Sequence, residues 1–302
     1  MKVSVPATSA NLGPGFDTLG LAIAMKNQVI IRPSKFHSVS LKGEGANNPV
    51  LKDNNMFISI FNDFYHNLAV KKRHYRFEFY NEIPLSRGLG SSSAVIVSAI
   101  ASAYAIEGIR LEKSKLLNLA LAYENHPDNI TSAVMGGFNV SKVQDNEVTF
   151  INKSIPRSLK AVVVIPNRPI STQLSRKALP FKYSKEDVIF NISHASLLTA
   201  AFMSEDWKML RTASLDKVHQ KYRMKQMPEL FDVQKTSLRL GSLMSTLSGS
   251  GSTFFSMCFA EDAKKIEKGL KSKFPHFKVF TCDFDNSGVR IDIWFFLILR
   301  IF

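Results

Sequence analysis

A glycine–serine loop between a strand-like segment and an apolar helix constrains this chain more than any other feature. Residues 84–94 have the sequence Pro-Leu-Ser-Arg-Gly-Leu-Gly-Ser-Ser-Ser-Ala. Alternating apolar and polar residues at 75–80 predict a half-buried strand before the loop, and an apolar helix is predicted at 94–107 after it. Glycines let the backbone approach an anion closely, and the free N–H groups of a first helical turn bind that anion. The segment therefore predicts a phosphate cradle.

The loop lacks the lysine of the usual nucleotide-binding loop. No Lys-Ser or Lys-Thr pair follows Gly90, the last glycine of the stretch. A triphosphate bound here must have its charge neutralised from elsewhere, and a metal ion is the expected source. The alternative is a serine-capped helix that follows a turn and binds no ligand.

Length, composition and cysteine usage indicate a globular protein of a reducing compartment. The 302 residues suit one large or two medium domains, and 45% apolar with 21% charged residues is an ordinary globular balance. Met1, Lys2 and Val3 begin a strand-like pattern, so we expect no targeting peptide. Cys258 and Cys282 lie far apart and have no Cys or His nearby at metal-ligand spacing. We therefore expect a cytoplasmic protein without a disulfide framework.

The formal net charge of +14 raises the question of nucleic-acid binding. The basic residues are scattered along the chain, however, and aromatic residues are not interleaved with them. We therefore predict a solvated basic surface whose field attracts anionic substrates, and no nucleic-acid partner.

The remaining pattern predicts alternating strands and helices. Strands are expected at 3–5, 29–31, 75–80, 161–165, 253–259 and 276–282. Helices are expected at 53–69, 94–107, 113–124, 186–203, 228–245 and 264–274. The polar stretch at 144–153 indicates a domain boundary, which divides the chain into 1–155, 156–290 and an atypical apolar tail at 291–302.

The apolar tail is too short to cross a bilayer, which needs about 20 apolar residues. It is also interrupted by Asp292 and Arg300, so we expect no membrane partner. A final strand, a partner-binding tail and a sequence change at the end of the gene are the alternatives for it.

Residues 6–17 and 124 carry polar groups suited to a ligand site. Asn11 and Asp17 flank a tight turn that can present an amide and a carboxylate to a substrate ammonium; alternatively, the pair only supports the loop. Glu124 is predicted in the last turn of its helix, where a negative charge opposes the dipole unless a cation lies nearby. Glu124 and one serine hydroxyl of the 84–94 loop therefore form a candidate Mg²⁺ site; the alternative is an exposed glutamate at a fraying helix end.

A second glycine–serine loop lies at 246–253. Its backbone N–H groups can close over a phosphate. The alternative is a flexible turn between domains.

Together and in this order, these segments resemble the GHMP small-molecule kinases. The matching motifs are Pro-Ala-Thr-Ser-Ala-Asn-Leu-Gly-Pro-Gly-Phe-Asp at 6–17, the 84–94 loop, His-Pro-Asp-Asn at 126–129 with Gly-Gly at 136–137, and Leu-Ser-Gly-Ser-Gly-Ser-Thr at 247–253. The resemblance covers residues 1–290 and not the tail. It implies an α+β fold, with an N-terminal α/β domain like that of a ribosomal protein, containing a left-handed βαβ unit, and a C-terminal ferredoxin-like α/β domain.

The resemblance also implies an activity. This activity is transfer of the γ-phosphoryl group of ATP to the side-chain hydroxyl of L-homoserine, in threonine biosynthesis, with ATP and Mg²⁺ as cofactors. Mevalonate or a sugar as acceptor is one alternative. A non-catalytic nucleotide- or nucleic-acid-binding protein of the same fold is another. A homodimer is left open.

On the family pattern, Asn55 would lie near the adenine of ATP. The triphosphate would be bound by the loop residues Pro84, Leu85, Ser86, Arg87, Gly88, Leu89, Gly90, Ser91, Ser92, Ser93 and Ala94. Ser92 and Glu124 would hold Mg²⁺. The second glycine loop would contribute Gly249, Ser250, Gly251 and Ser252.

The substrate would be surrounded by Asn11, Asp17, His126, Asn129, Thr172, Arg176 and Arg223. Asp17 suits the ammonium group, and paired hydrogen bonds from Arg176 and Arg223 suit the carboxylate.

Asp128, Asn129 and Glu124 are the implied catalytic residues, and two versions of the proton transfer stay open. In one version, Asp128 accepts the hydroxyl proton. In the other version, Asp128 is structural, Asn129 orients the hydroxyl and the phosphate takes the proton.

Overall fold

The computed structural model describes residues 1–71 and 73–293, which form two β-sheets with helices packed against them. The strands are β1 (Lys2–Ala10), β2 (Leu19–Ser34), β3 (Ser38–Gly43), β4 (His74–Asn81), β5 (Phe138–Gln144), β6 (Glu147–Lys153), β7 (Leu159–Ile165), β8 (Met244–Leu247), β9 (Phe254–Phe259), β10 (Lys278–Cys282) and β11 (Arg290–Asp292).

The helices lie singly or in groups between these strands. They are α1 (Val50–Asp53), α2 (Met56–Leu68), α3 (Ser91–Ile106), α4 (Lys113–Ala120), α5 (Pro127–Met135), α6 (Thr172–Lys177), α7 (Lys185–Ser204), α8 (Leu210–Ala213), α9 (Gln220–Met224), α10 (Glu229–Leu240) and α11 (Ala263–Lys273), with a 3₁₀ turn at Trp207–Met209.

The first sheet has the strand order β11-β1-β2-β4-β3, and β5 and β6 extend it from β2. β1 and β2 are antiparallel, whereas β3 runs parallel to β4. β11 pairs antiparallel with β1, with Lys2 opposite Asp292 and Ser4 opposite Arg290. The last described strand therefore completes the sheet that the first strand begins.

The second sheet is antiparallel throughout, in the order β10-β7-β9-β8. The wholly apolar run predicted at 161–165 lies in β7, an internal strand of this sheet. The run is apolar because its side chains are covered on both faces of the sheet. Cys258 and Cys282 are both free thiols, as expected. Among the described residues, no helix is long and apolar enough to cross a membrane.

The main core lies between the first sheet and α2, α3 and α5. In β4 the side chains of Tyr75, Phe77 and Phe79 are buried and alternate with more exposed neighbours, as the period-2 pattern predicts. Phe77 packs edge-on against Phe57 and Phe61 of α2, with ring centroids 5.7 and 5.2 Å apart. These contacts hold α2 against the first sheet.

Three helix predictions need correction. The helix expected at 53–69 begins at Met56, because Asn55 caps it and accepts from the N–H of Ile58. The helix expected at 228–245 ends at Leu240, since Gly241 adopts φ +118° and 244–247 pair with β9.

The third correction concerns Glu124. The helix expected at 113–124 ends at Ala120, so Glu124 does not lie in its last turn. The chain must turn there because Pro127 begins α5 and holds His126 in an extended conformation. Of the predicted tail, 291–293 are described, and 294–302 lie outside the described residues.

Candidate active site

One cavity of about 340 Å³ gathers most of the predicted site residues. It is lined by Asn11, Asp17, Pro84, Leu85, Ser86, Arg87, Gly88, Leu89, Gly90, Ser91, Ser92, Ser93, Glu124, His126, Asp128, Asn129, Thr172, Arg176, Arg223, Gly249 and Ser250, together with the apolar Ala10, Leu51, Met56 and Val95. Asn55, Ala94, Gly251 and Ser252 do not line it. A larger groove of about 900 Å³ lies elsewhere, along 43–48 and β10, and contains none of these residues.

The 84–94 loop, the predicted phosphate loop, reaches the start of α3 through two left-handed glycines. Gly88 has φ +75° and Gly90 has φ +66°. A Cβ on Gly88 would collide with the carbonyl of Ser248, and one on Gly90 would collide with Thr8 Oγ1. The first N–H groups of α3 have no acceptor within the helix, so this backbone is shaped for an anion.

Arg87 joins the phosphate loop to the segment after β7. Its guanidinium donates to the carbonyls of Leu85, Pro166 and Asn167 at 3.4, 3.1 and 2.8 Å. Ser248 Oγ adds a bond to the carbonyl of Gly88 at 2.6 Å. Three of the five N–H donors of the Arg87 guanidinium are therefore engaged by the protein itself.

Glu124 faces the phosphate loop without a cationic hydrogen-bond partner. Among the described residues, the only hydrogen bond to its carboxylate comes from Ser93 Oγ, at 2.6 Å. Burial raises the pKa of Glu124, while the Ser93 hydrogen bond and the charge of Arg176 act in the opposite direction. The Glu124 carboxylate lacks a cationic hydrogen-bond partner, and a hydroxyl lies beside it. These groups suit Mg²⁺, which prefers hard oxygen ligands and keeps several waters. Ser92, the predicted ligand, lines the same cavity and is exposed.

Asp128 and Asn129 lie at the start of α5, deep in the cavity. Asp128 is 1% exposed, and burial, followed by the negative charge of Asp17, raises its pKa to about 7. Its Oδ1 accepts from the backbone N–H of Asn129 at 2.8 Å. Asn129 Oδ1 in turn accepts from Thr8 Oγ1 at 2.6 Å. A carboxyl group with a pKa near neutrality can exchange a proton with a ligand.

Two arginines and one carboxylate form the other end of the cavity. Arg176 Nη2 donates to both oxygens of Asp17, at 2.8 and 3.0 Å. The ring of Phe16 lies under both guanidinium groups, 5.4 Å from Arg176 Cζ and 5.0 Å from Arg223 Cζ. Within the described chain, the buried Nε of each arginine lacks an acceptor. Unpaired buried donors of this kind point to an anionic ligand.

Two asparagines are engaged with the protein itself. Asn11 Oδ1 accepts from the N–H of Asp17, and its Nδ2 donates to the carbonyl of Gly249, both at 3.0 Å. The Asn11 amide therefore supports the loop, and its side chain also lines the cavity. Asn55 caps α2 and donates to the carbonyl of Leu51 at 3.0 Å. Asn55 does not line the cavity, whereas its neighbours Leu51 and Met56 contribute apolar side chains to it.

Two more of the predicted residues lie at the cavity. Thr172 Oγ1 is 3.2 Å from Ser250 Oγ, which brings the second glycine loop to the start of α6. His126 has a lowered pKa, mainly because of burial and also because of the charge of Arg176. A neutral imidazole at this position can accept or donate a hydrogen bond.

Sequence reasoning missed several contributors to the site. Thr8 and Phe16 lie inside the first motif but carry no chemical signature of their own. Leu51 and Met56 are apolar residues of a helical region. His219 is buried and contacts Gly13, 206 residues away. Its signal is its place in the segment at 219–223, which also fits the family pattern, just as Thr8 and Phe16 lie within a motif already singled out.

Comparison with known proteins places these motifs in a family. A model of the GHMP kinases N terminal domain matches residues 55–137, and a model of the GHMP kinases C terminal matches residues 198–276. A homoserine kinase of Aliarcobacter butzleri is 80% identical over 293 residues, covering 97% of this chain and 100% of that protein. A homoserine kinase of Nitratiruptor sp. is 62% identical, with the same coverage.

Solved structures agree with this placement. The homoserine kinase of Cytophaga hutchinsonii superposes with a TM-score of 0.86 at 26% identity and covers 97% of each chain. L. major mevalonate kinase superposes with a TM-score of 0.73 at 16% identity, covering 94% of this chain and 96% of that one, and shows the shared fold alone.

Proposed function

The chain belongs to the GHMP kinase family, and from this premise we infer that it transfers the γ-phosphoryl group of ATP to the side-chain hydroxyl of L-homoserine. The product is O-phospho-L-homoserine, an intermediate of threonine biosynthesis. The full-length identity to homoserine kinases carries this conclusion. The geometry supports it, because one cavity combines glycine-rich backbone at a helix N-terminus, a carboxylate without a cationic hydrogen-bond partner and two arginines.

The ATP phosphates are expected at the N-terminus of α3. The left-handed Gly88 and Gly90 expose backbone N–H groups there, and the helix dipole favours negative charge. The apolar side chains of Leu51 and Met56 line the same cavity and would contact the adenine. Phosphoryl transfer depends mainly on positioning and charge stabilisation, which this arrangement provides.

Glu124 would hold Mg²⁺ together with a hydroxyl of the phosphate loop. Ser93 already contacts Glu124, and Ser92 lines the cavity beside it. The loop contains no lysine, so the ion, when bound, would neutralise the charge of the phosphates. The raised pKa of Glu124 supports the assignment, since a nearby cation would relieve the cost of the buried charge.

The amino-acid substrate would bind between the two arginines and Asp17. The unpaired Nε groups of Arg176 and Arg223 suit its carboxylate, and the carboxylate of Asp17 suits its ammonium group. This end of the cavity distinguishes an amino acid from a sugar, which carries neither charge.

The hydroxyl proton has two candidate destinations. Asp128 would take it as a general base, which its pKa of about 7 permits. Alternatively, Asn129 orients the hydroxyl and the phosphate takes the proton. Asp128→Asn separates the two versions: a base predicts that kcat falls by roughly 10²–10⁴-fold at unchanged KM, whereas the alternative predicts a small loss.

The activity is tested by coupling ATP consumption to L-homoserine, with and without Mg²⁺. Mevalonate and a sugar such as galactose serve as alternative acceptors at matched concentration. We expect turnover with L-homoserine that depends on Mg²⁺ and is much slower with the other acceptors. Absence of turnover with L-homoserine would refute the proposal, and salt-dependent RNA binding without kinase activity would favour the non-catalytic alternative.

Location and assembly complete the proposal. We place the protein in the cytoplasm, with L-homoserine and ATP as its ligands and without a nucleic-acid or membrane partner. The monomer and the homodimer remain alternatives, and analytical ultracentrifugation at micromolar concentration distinguishes them.

A further inference from the structure

His219 is a buried histidine behind the two arginines. Its side chain is 0% exposed and lies at the start of α9, four residues before Arg223. Nε2 lies 2.7 Å from the carbonyl oxygen of Gly13, in the loop between Asn11 and Asp17. Nδ1 lies 3.2 Å from Arg223 Nη1. The ring therefore connects the loop of the first motif to one of the predicted substrate-binding arginines.

The two partners of the ring fix its tautomer. A carbonyl oxygen can only accept a hydrogen bond, and a guanidinium nitrogen can only donate one. Nε2 must therefore carry the proton that is donated to Gly13, and Nδ1 must offer a lone pair to Arg223. Both bonds are satisfied together only by the neutral ring protonated on Nε2.

An imidazolium paired with Asp216 is the alternative. Asp216 Oδ2 lies 3.9 Å from Nε2, too far for a hydrogen bond. The Asp216 carboxylate instead accepts from the backbone N–H groups of Val218, His219 and Gln220, at 3.0, 3.0 and 2.7 Å. An imidazolium would also direct its Nδ1–H at the guanidinium of Arg223. Burial lowers the pKa of His219 to about 4, against the opposing charge of Asp216, in agreement with the neutral ring.

The contact with His219 determines which edge of Arg223 stays available. Nη1 has two hydrogens; one is donated to His219 and the other to the carbonyl of Gly249, at 2.9 Å. Nε is buried, and within 1–71 and 73–293 it has no hydrogen-bond partner. The edge formed by Nε and Nη2 thus has no hydrogen-bond partner within the described chain, and an edge of this shape matches a carboxylate with two parallel hydrogen bonds.

We propose that His219 is a positioning residue that holds Arg223 so that its Nε–Nη2 edge receives the carboxylate of the substrate. The proposal rests on the proposed function for the identity of that substrate. His219 also holds the loop that carries Asp17, through Gly13, and its ring lies 5.3 Å from the ring of Phe16. One imidazole therefore contacts both the predicted carboxylate-binding arginine and the loop that carries the predicted ammonium-binding residue.

Kinetics of two substitutions test the role. His219→Gln retains one donor and one acceptor at a spacing similar to that of the two ring nitrogens, whereas His219→Leu removes both. For His219→Leu we expect the KM for L-homoserine to rise at least about tenfold, with kcat and the KM for ATP changed less than about threefold. His219→Gln should restore the KM to within about threefold of the original value. His66→Gln, at an exposed histidine, is the control.

The tautomer is tested without reference to substrate. Long-range ¹H–¹⁵N correlation spectra of the full chain at pH 7, assigned with His219→Gln, should show a neutral His219 ring protonated on Nε2. A charged ring, or one protonated on Nδ1, overturns the proposal. So does a His219→Leu protein with an unchanged KM for L-homoserine, or a His219→Gln protein that loses activity through kcat alone. If His219→Leu does not fold, His219→Gln and the spectrum decide. An original chain that is inactive on L-homoserine but shows the expected tautomer refutes the substrate and not the hydrogen-bond arrangement.

Discussion

Replacing Asp128 with asparagine is expected to stabilise the protein, and to do so more strongly at higher pH. The carboxyl group is 1% exposed, and burial raises its pKa from 3.8 to about 7. Asparagine has nearly the same shape and retains an oxygen that can accept from the N–H of Asn129. The substitution therefore removes the ionisation while leaving the local hydrogen bond in place.

The sign and size follow from the two pKa values. Between pH 4 and pH 7 the unfolded chain has lost the Asp128 proton, whereas the folded protein still holds it, so the free energy of unfolding falls as the pH rises. One pKa unit corresponds to about 1.4 kcal/mol, and from pH 5 to pH 8 the loss integrates to about 2.5 kcal/mol. The free energy of unfolding of Asp128→Asn does not fall in this way, because the asparagine side chain does not ionise. Its stability relative to the original protein should therefore improve by about 2.5 kcal/mol between the two pH values.

Urea denaturation at pH 5 and pH 8 measures this difference. Taking the change between the two pH values cancels any intrinsic difference between asparagine and a neutral carboxyl group. Asp53→Asn, which removes an exposed carboxylate, is the control. The reasoning is refuted if the stability difference between Asp128→Asn and the original protein stays constant within about 0.5 kcal/mol.

Three further substitutions probe other parts of the structure. Glu124→Gln should raise the Mg²⁺ concentration for half-maximal activity at least about tenfold, measured by Mg²⁺ titration of the coupled assay; an unchanged midpoint would remove Glu124 from the metal site. Gly90→Ala places a Cβ against Thr8 Oγ1 at a left-handed position, so the KM for ATP should rise at least about tenfold in ATP saturation curves, and a normal KM would argue against the cradle. Phe138→Ala removes a fully buried ring stacked 4.0 Å from Phe202 and should lower the free energy of unfolding by about 3–5 kcal/mol in urea; a loss below about 1 kcal/mol would contradict tight packing there.

Local patterns were sufficient for the helix after the 84–94 loop, for the apolar strand at 161–165 and for the family. The expected helix after the 84–94 loop exists as α3, the internal strand at 161–165 lies in β7, and the resemblance to GHMP kinases is confirmed by both family models. These features depend on residues close together in the chain, so periodicity and glycine placement reveal them.

Contacts between distant residues could not be predicted in this way. The guanidinium of Arg87 donates to carbonyls about 80 residues away, which no local pattern shows. The sequence pattern predicts Glu124 in the last turn of a helix. That helix ends at Ala120, because the turn toward Pro127 outweighs local helix propensity. The boundary between 155 and 156 and the role of each cavity residue stay predictions.

The pairing of β11 with β1 bears on synthesis of the chain. β1 leaves the ribosome first, and β2 can cover one of its edges early. Its other edge waits for residues 290–292, about 290 residues later, which at roughly 5–20 residues per second takes about 15–60 s. During that interval the nascent sheet presents unpaired backbone groups that can pair with another chain. Chaperone engagement during translation should therefore persist until β11 is released.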